Sequence, residues 1–501
     1  IIMQAANTGL TGGSTPEGRY DRDVVLISTT KLDRIVPIDH GRQVVCLPGA
    51  RLNTLEKVIE PYGREPHSVI GSSCIGASVV GGVCNNSGGS LISRGPAYTE
   101  CALFARIDED GHVNLINKLG ISVFGSPETI LSAIEGGNIP EELIEKNVGA
   151  CSAHNYNEIV RDTDAPSPAR YNADPSRLFD TSGCAGKLIV FAVRLDTFPK
   201  APESQVFYVG TNSPAELEEL RRGMLGHASA LPDSAEYVHR EAFDIALRYG
   251  KDTFAAIRLL GEKRLPFFFS AKSNVDDFFA SIGLGKFNLT DRVMQLASRL
   301  LPMQLPKVLL KMRDQYEHHL IIEASGDGVK ETQDYLSSMF PSLSGDFHAC
   351  SKSEGAKAML HRFVTAGAAV RYAAVHSKKV SGIAAIDVAL PRSTQDWVEV
   401  LPDDLRERTH AILYYGHFFC HVFHQDYVVK KGCDPHTLEE DILMTLDARG
   451  AKYPAEHNVG HMYNAEKPLR DFYQSLDPTN SLNPGIGKTS KLKNWETPYR
   501  D

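Results

Sequence analysis

Four residues near the C-terminus carry the side chains most suited to chemistry. His417 and His424 lie seven positions apart, and the pair Glu456-His457 follows. Imidazole and carboxylate together are ordinary ligands for zinc or manganese. Imidazole is also the commonest general base near neutral pH. The same types serve a plainer purpose, because buried polar groups usually just find hydrogen-bond partners. His417 and His424 sit in an aromatic run, Tyr414 to Tyr427, so hydrogen-bonded core histidines remain an open reading. Arg362 and Arg371, in HRFVTAGAAVRY, are the candidates for gripping a substrate carboxylate. A guanidinium does this best in a bidentate fork; either arginine could equally be a solvated helix residue.

A second set of residues suits phosphate. The stretch Ala5-Ala6-Asn7-Thr8-Gly9-Leu10-Thr11-Gly12-Gly13-Ser14 follows a short apolar run. Small residues let a backbone approach an anion closely, and successive N–H groups can form a nest for it. A further loop, residues 71–90, holds six glycines in twenty positions, including Gly71, Gly81, Gly82 and Gly88, with Ser78 between them. Neither loop is a G-x-G-x-x-G fingerprint or a G-x-x-x-x-G-K-[ST] loop. Two separated glycine-rich stretches suit a long dinucleotide lying extended between two subdomains.

The elements that must position these residues are legible in outline. Val24–Ser28, Gln43–Leu47, Lys187–Leu195, Leu320–Ile322 and Ile383–Leu390 read as strands. Leu52–Tyr62 reads as a helix, with Leu52, Leu55, Val58 and Ile59 at helical spacing. The 501 residues are enough for two or three domains. At 42% hydrophobic and 23% charged, the chain has an ordinary globular composition, which excludes bulk disorder. No window of about 18 apolar residues is free of charge, so no transmembrane helix is expected. A net charge of -9 argues against nucleic acid as a partner. The nine scattered cysteines form no C-x-x-C pair, which fits a reducing compartment. Ile1-Ile2-Met3 reads as the middle of a strand, so residues upstream are expected.

Four motifs, taken in order, are similar to those of the vanillyl-alcohol-oxidase-type (PCMH-type) FAD flavoproteins. The first loop resembles that family's pyrophosphate loop. Residues 71–90 resemble its second glycine stretch. Ser182–Val190 resembles its adenine-side strand, and Asp477–Gly485 its D-P-x-x-x-x-N-P-G tail. Further runs, PHSVIGSSCIGASVVGGVCNNSGGS (66–90), ARYNADPSRLF (169–179), YYGHFFCHVFHQDY (414–427) and YPAEHNVGH (453–461), resemble the branch that oxidises D-lactate and feeds membrane quinone.

The resemblance implies an α+β fold in three parts. These are a two-subdomain FAD-binding domain (1–197 and 448–501), an α+β cap (198–238, 315–353 and 377–447), and a small helical membrane-binding region (239–314 and 354–376). It implies FAD held by Ala5, Ala6, Asn7, Thr8, Gly9, Gly13, Ser14, Gly71, Ser78, Gly81, Gly82, Gly88 and Val190. The flavin should be noncovalent, because the first loop lacks the His or Cys that covalent members use. His457 takes the role of base, and Arg362 or Arg371 that of substrate arginine. Related D-2-hydroxyacid dehydrogenases hold a divalent metal on residues matching His417, His424 and Glu456. Here Phe418-Phe419-Cys420-His421-Val422-Phe423 departs from their intervening motif, and Asn458 replaces their glycine. About seventy residues are expected to precede Ile1.

Residues 286–313 carry Lys286, Arg292, Arg299, Lys307, Lys311 and Arg313 against one acid, Asp291, a local net charge of +5. Leucines and valines interleave with them, and Leu265-Pro266-Phe267-Phe268-Phe269 lies upstream. Such a stretch fits attachment to an anionic lipid surface, or simply an amphipathic helix with a basic outer face. The expected activity is oxidation of D-lactate to pyruvate with electrons passed to ubiquinone or menaquinone, at the cytoplasmic face of the bacterial inner membrane. The alternatives are a related dehydrogenase acting on 2-hydroxyglutarate or glycolate, and a flavin-binding membrane scaffold without turnover.

Overall fold

The computed structural model describes residues 1–67, 76–122, 127–137, 139–260, 275, 288–340 and 342–496. Gly71, Lys286 and the Leu265–Phe269 run lie outside the described residues. The chain divides into two compact units. One comprises Ile1–Asn157, Arg170–Lys200 and Pro454–Asp501; the other comprises Glu158–Ala169 and Ala201–Tyr453.

The first unit holds β1 (Ile2–Gln4), β2 (Leu26–Ser28), β3 (Ile35–Ile38), β4 (Gln43–Cys46), β5 (Arg64–Pro66), β6 (Ala102–Ile107), β7 (Val113–Asn117) and β8 (Ile189–Pro199). β1 and β2 pair in parallel. The main sheet runs β3-β4-β8-β6-β7, with β5 also on β8. Alternation along β4 explains why both of its faces are covered. Val44 and Cys46 join a core with Leu52, Leu55 and Ile59 of the helix Leu52–Ile59. Val45, with Leu47 just beyond the strand, faces a second core with Leu103 and Ile130. A strand that is apolar on both faces must be covered on both faces. The predicted helix thus ends earlier than expected, and Glu60–Tyr62 tightens into a 3₁₀ turn.

The second unit is built on a fully antiparallel sheet of β9 (Ser204–Thr211), β10 (Ser234–His239), β11 (His318–Ser325), β12 (Asp346–Ala349), β13 (Val380–Ala389), β14 (Thr409–His417) and β15 (Val422–Lys430). Their order is β12-β9-β11-β10-β14-β15-β13. This unit continues past the expected boundary at 448, because Lys452 bonds both ways with Ala389. It also takes in Glu158–Ala169, where Arg392 bonds the carbonyls of Ile159 and Ser167. Helices expected for membrane binding pack within this same unit: Arg240–Tyr249 and Thr365–Val375 lie against each other, and Leu289–Ser298 lies against the second of them.

Several histidines of this unit are buried and held neutral, His318, His319, His361 and His421 among them. Burial pulls His318 and His361 down to about 4 and His319 to about 3, from an ordinary 6.5. His361 Nε2 is 3.1 Å from the Phe243 carbonyl. Unfolding exposes these rings and lets them protonate. Their contribution is therefore complete above pH 6.5 and is lost as pH falls through 4. The urea midpoint should drop between pH 7.5 and pH 5. His361→Gln should shrink the accompanying fall in unfolding free energy by about 2 kcal/mol; an unchanged pH slope would show that His361 is not among the groups responsible.

Candidate active site

The second unit's candidate residues stand on a hairpin. β14 and β15 are joined by a tight 3₁₀ turn, Phe418–Cys420, closed by His421 at a left-handed φ of 51°. Gly416 is needed beside it: a Cβ there would lie 2.3 Å from the Val422 carbonyl oxygen. The register sets Tyr415 opposite His424 and His417 opposite Val422. Opposed residues share a face, and alternate residues switch faces. Tyr415, His417, His424 and Asp426 therefore lie on one face. Tyr414 and Phe423 lie on the other, packed with Trp397 and Tyr237. The alternation of polar and aromatic residues in this run is the sheet's two faces written in sequence.

The neighbouring strands complete the polar face. β10 sets Glu236 opposite His417, and β13 sets Asp387 opposite His424. Glu236 Oε1 is 2.5 Å from His417 Nδ1, and Asp387 Oδ1 is 3.3 Å from His424 Nδ1. The two Nε2 atoms face each other at 3.5 Å. The Glu236 carboxylate on Nδ1 of His417 fixes the tautomer that leaves this ring's lone pair on Nε2, facing His424. Burial alone would raise the Glu236 carboxyl, but His417 and Arg362 outweigh it and hold it below the usual range.

The two candidate arginines part company here. Arg362, on the helix Lys352–Phe363, has its Nε 2.9 Å from Glu236 Oε2, out of line for a hydrogen bond. Its guanidinium lies over the Tyr415 ring, 4.6 Å from the centroid. Arg371 is neither solvated nor near the histidines' carboxylates. It is buried, with Nε 2.6 Å from Asp291 and Nη1 3.0 Å from Asp252.

In the first unit, the opening loop folds back on itself. Ser14 Oγ donates to Asn7 Oδ1 at 2.9 Å, and Gln4 Nε2 donates to the Ser14 carbonyl at 2.8 Å. Asn7 adopts a left-handed φ of 52°. A Cβ on Gly9 would meet no atom within 4 Å. No described residue accepts from the backbone N–H of Asn7, Thr8 or Gly9. Ala5, Ala6 and Thr8 are half-exposed. Half-exposed small residues, uncommitted donors and open space fit a pyrophosphate.

The second loop contributes the short helix Val79–Cys84, whose first turn Ser78 caps by accepting from Gly81 N. A Cβ on Gly81 would press on that Ser78 oxygen, and one on Gly88 would lie 2.6 Å from Glu456 Oε1. Gly82 is buried; its N–H donates to Ser78 O, and its carbonyl accepts from Asn85 and Ser87. Val190 is a core residue, paired to Phe104, so only its backbone could meet a cofactor.

The strip Glu456–His461 joins the two loops. Gly460, at φ 53°, passes so close to Thr11 that a Cβ would lie 2.2 Å from its carbonyl oxygen. His461 Nε2 is 2.8 Å from the Thr15 carbonyl. Asn458 Nδ2 donates to Asn85 Oδ1 at 2.6 Å. His457 is half-buried, and its carbonyl accepts from Asn172 Nδ2. Glu456 is buried, with Arg170 Nη2 at 2.8 Å. From the tail motif, Asn483 Nδ2 donates to both the Gly13 carbonyl at 2.8 Å and the Ala185 carbonyl at 2.7 Å. Glu236, Arg170, Asn172 and Asn483 were not singled out from sequence. Three of them lie in runs that were, and Glu236 is a lone acid in an apolar strand.

Comparison with known proteins places this architecture. A family model described as D-lactate dehydrogenase, membrane binding, matches residues 206–495, and one described as FAD binding domain matches residues 1–114. The quinone-dependent D-lactate dehydrogenase of Escherichia coli (strain K12) is 54% identical over 497 residues, covering 99% of this chain and 87% of that protein. The chain belongs to the quinone-dependent D-lactate dehydrogenase family. Its namesake in Corynebacterium glutamicum is 45% identical over 499 residues, covering 99% of this chain and 87% of that one. Among solved structures, p-cresol methylhydroxylase has a TM-score of 0.53 at 13% identity, covering 98% of this chain and 84% of that one. Alkyldihydroxyacetonephosphate synthase has a TM-score of 0.54 at 11% identity, covering 96% and 71%. At such identities the likeness concerns the fold, which is the expected vanillyl-alcohol-oxidase type. The FAD-binding match includes the first loop, and the membrane-binding match includes β14, β15 and the basic helices.

Proposed function

We propose that the chain oxidises D-lactate to pyruvate, with His457 as the base and Arg362 as the carboxylate reader. The observation that carries this reading is the strip Glu456–His461, bonded to both glycine loops. The strip that carries His457 is thereby tied to the loops we read as holding the flavin. Bound FAD supplies the hydride acceptor and the route for electrons on to membrane quinone. The loop of residues 5–14 would hold its pyrophosphate without a covalent link, since it has neither His nor Cys. His457 takes the hydroxyl proton as the hydride leaves the carbon. Arg362 would grip the lactate carboxylate, because no described residue bonds to either Nη and the ring of Tyr415 holds the guanidinium flat. Arg371 is engaged by two aspartates and is not the carboxylate reader in this reading. Anaerobic D-lactate should bleach the flavin of the holoenzyme, and D-2-hydroxyglutarate should do so far more slowly. An unchanged visible spectrum with D-lactate would sink the reading.

His417 and His424 suit a divalent cation. Each has its Nδ1 beside a carboxylate, and two Nε2 atoms on one zinc at about 2.1 Å and near-tetrahedral angle stand about 3.4 Å apart. The observed 3.5 Å matches. Glu456, the third expected ligand, belongs to the other unit and is paired with Arg170. Chelation should lower turnover at least several-fold, with zinc or manganese restoring it. Full activity in metal-free protein would leave the two histidines sharing a proton.

No described helix is long and apolar enough to cross a membrane. The helix Leu289–Ser298 and the residues after it present Val293, Leu296, Leu300 and Met303 outward, the last but one 89% exposed. Arg299, Lys307 and Lys311 are exposed beside them. Arg313 is not part of that charge, since Asp244 and Asp314 pair with it. We infer a peripheral attachment with two components, one of charge toward anionic lipid and one of shallow insertion. Replacing the three free cations by Gln should abolish the salt-dependent part of binding to anionic vesicles. Leu296→Ser with Leu300→Ser should weaken the part that survives high salt. Wild-type salt dependence in the cation variant would place the anchor elsewhere.

A further inference from the structure

The run ARYN (169–172) has no role in the reaction as described, yet two of its side chains are buried polar groups with fixed partners. Arg170 is 3% exposed and Asn172 is 6% exposed. The Arg170 guanidinium donates to the carbonyls of Gly89 and Leu91, on the second glycine loop, and its Nη2 also donates to Glu456 Oε1 at 2.8 Å. Asn172 Nδ2 donates to the His457 carbonyl, and the Asn172 carbonyl accepts from Asn86 Nδ2 of the same loop. One residue further along the strip, Asn458 bonds Asn85. The result is a clamp. Side chains from two segments grip the residues before, at and after His457 and tie them to the loop that follows Ser78.

We propose that Arg170 and Asn172 are positioning residues for His457, setting where its imidazole stands relative to the second glycine loop. The inference rests on the reading of His457 as the base. A base works only within hydrogen-bond reach of the proton it takes. A displacement of about 1 Å can slow a reaction about 10²-fold without touching binding. An amide carbonyl fixed by a buried donor is a direct way to hold that distance. The buried fork of Arg170 does the same for the preceding residue and for the turn at Gly89.

The test uses the flavin-loaded protein and rapid-mixing measurement of flavin reduction by D-lactate. Asn172→Leu keeps the branched shape of the side chain but cannot donate. It should retain full flavin content and a KM near wild type, while flavin reduction slows about 10- to 100-fold. Arg170→Lys, which keeps the charge but loses the fork, should slow it in the same direction. The decisive protein is the double variant Asn172→Leu, His457→Ala. If Asn172 acts through the histidine, the double variant should reduce flavin within about twofold of His457→Ala alone. A multiplicative loss would overturn the proposal, because the amide would then act independently of the base. So would a wild-type rate in Asn172→Leu. If that variant loses flavin, Asn172→Ser, which can still donate, becomes the measured protein; flavin loss there too would make Asn172 a cofactor-loop residue and overturn the proposal. A wild-type rate in His457→Ala itself would remove the base reading and this inference with it. That result is recognised without reference to either clamp variant.

Discussion

Replacing His457 with Ala should abolish most D-lactate turnover while leaving the flavin in place. The strip it belongs to is held to the glycine loops by groups that the substitution leaves in place. These are the His457 carbonyl, the Asn458 amide and the Gly460 backbone, none of which the substitution removes. Flavin content and thermal stability should therefore match wild type. The loss falls on proton removal from the substrate hydroxyl, where a positioned base contributes about 10²–10⁴-fold. The fall should appear in kcat, with KM little changed, because the histidine is not asked to hold the carboxylate. His457→Gln should be as slow as Ala, since it restores a hydrogen bond but not a proton acceptor of suitable pKa. A variant within a few-fold of wild type would assign the proton to another group.

His457 is a candidate because Glu456-His457 resembles a motif of the related dehydrogenases, not because its surroundings in sequence mark it out. The glycine loops were legible because their composition is extreme. What the sequence withheld were long-range partners. Glu236 reads as one acid in an apolar strand, and only the pairing of β10 with β14 brings it to His417, 181 positions away. The seven-residue spacing of His417 and His424 suggests neither helix nor strand. It becomes intelligible once a tight turn folds two strands so that both rings meet on one face. Arg362 and Arg371 look alike in sequence, nine positions apart on consecutive helices. Asp252 and Asp291 tell them apart, and both acids lie on helices that fold against the second arginine. Among the glycines, spacing could not separate those that leave room for a cofactor from those that leave room for the protein itself. Gly9 faces open space, whereas Gly88 makes way for Glu456.

Arg362→Met should reduce kcat/KM for D-lactate by roughly 10²–10³-fold, because a bidentate guanidinium–carboxylate contact combines two charge-assisted hydrogen bonds. The loss should lie mainly in KM, which separates it from the loss expected at His457. Arg362→Lys should recover only part of it, since an ammonium is a point charge and cannot offer the planar fork. The flavin spectrum should be unaffected, as the cofactor loops belong to the other unit. A secondary effect follows from the buried Glu236. Its low pKa depends on both His417 and Arg362, so removing the guanidinium leaves the imidazole as its nearest partner. The pair should then hold a proton more tightly, and the variant should lose further activity toward low pH. Arg371→Met offers the contrast. It removes a partner from two buried or half-buried aspartates, so it should lower the melting temperature without changing KM for D-lactate. If Arg371→Met raised KM while Arg362→Met left it unchanged, the carboxylate reader would be Arg371, and the two ion pairs around it would have to open when substrate binds.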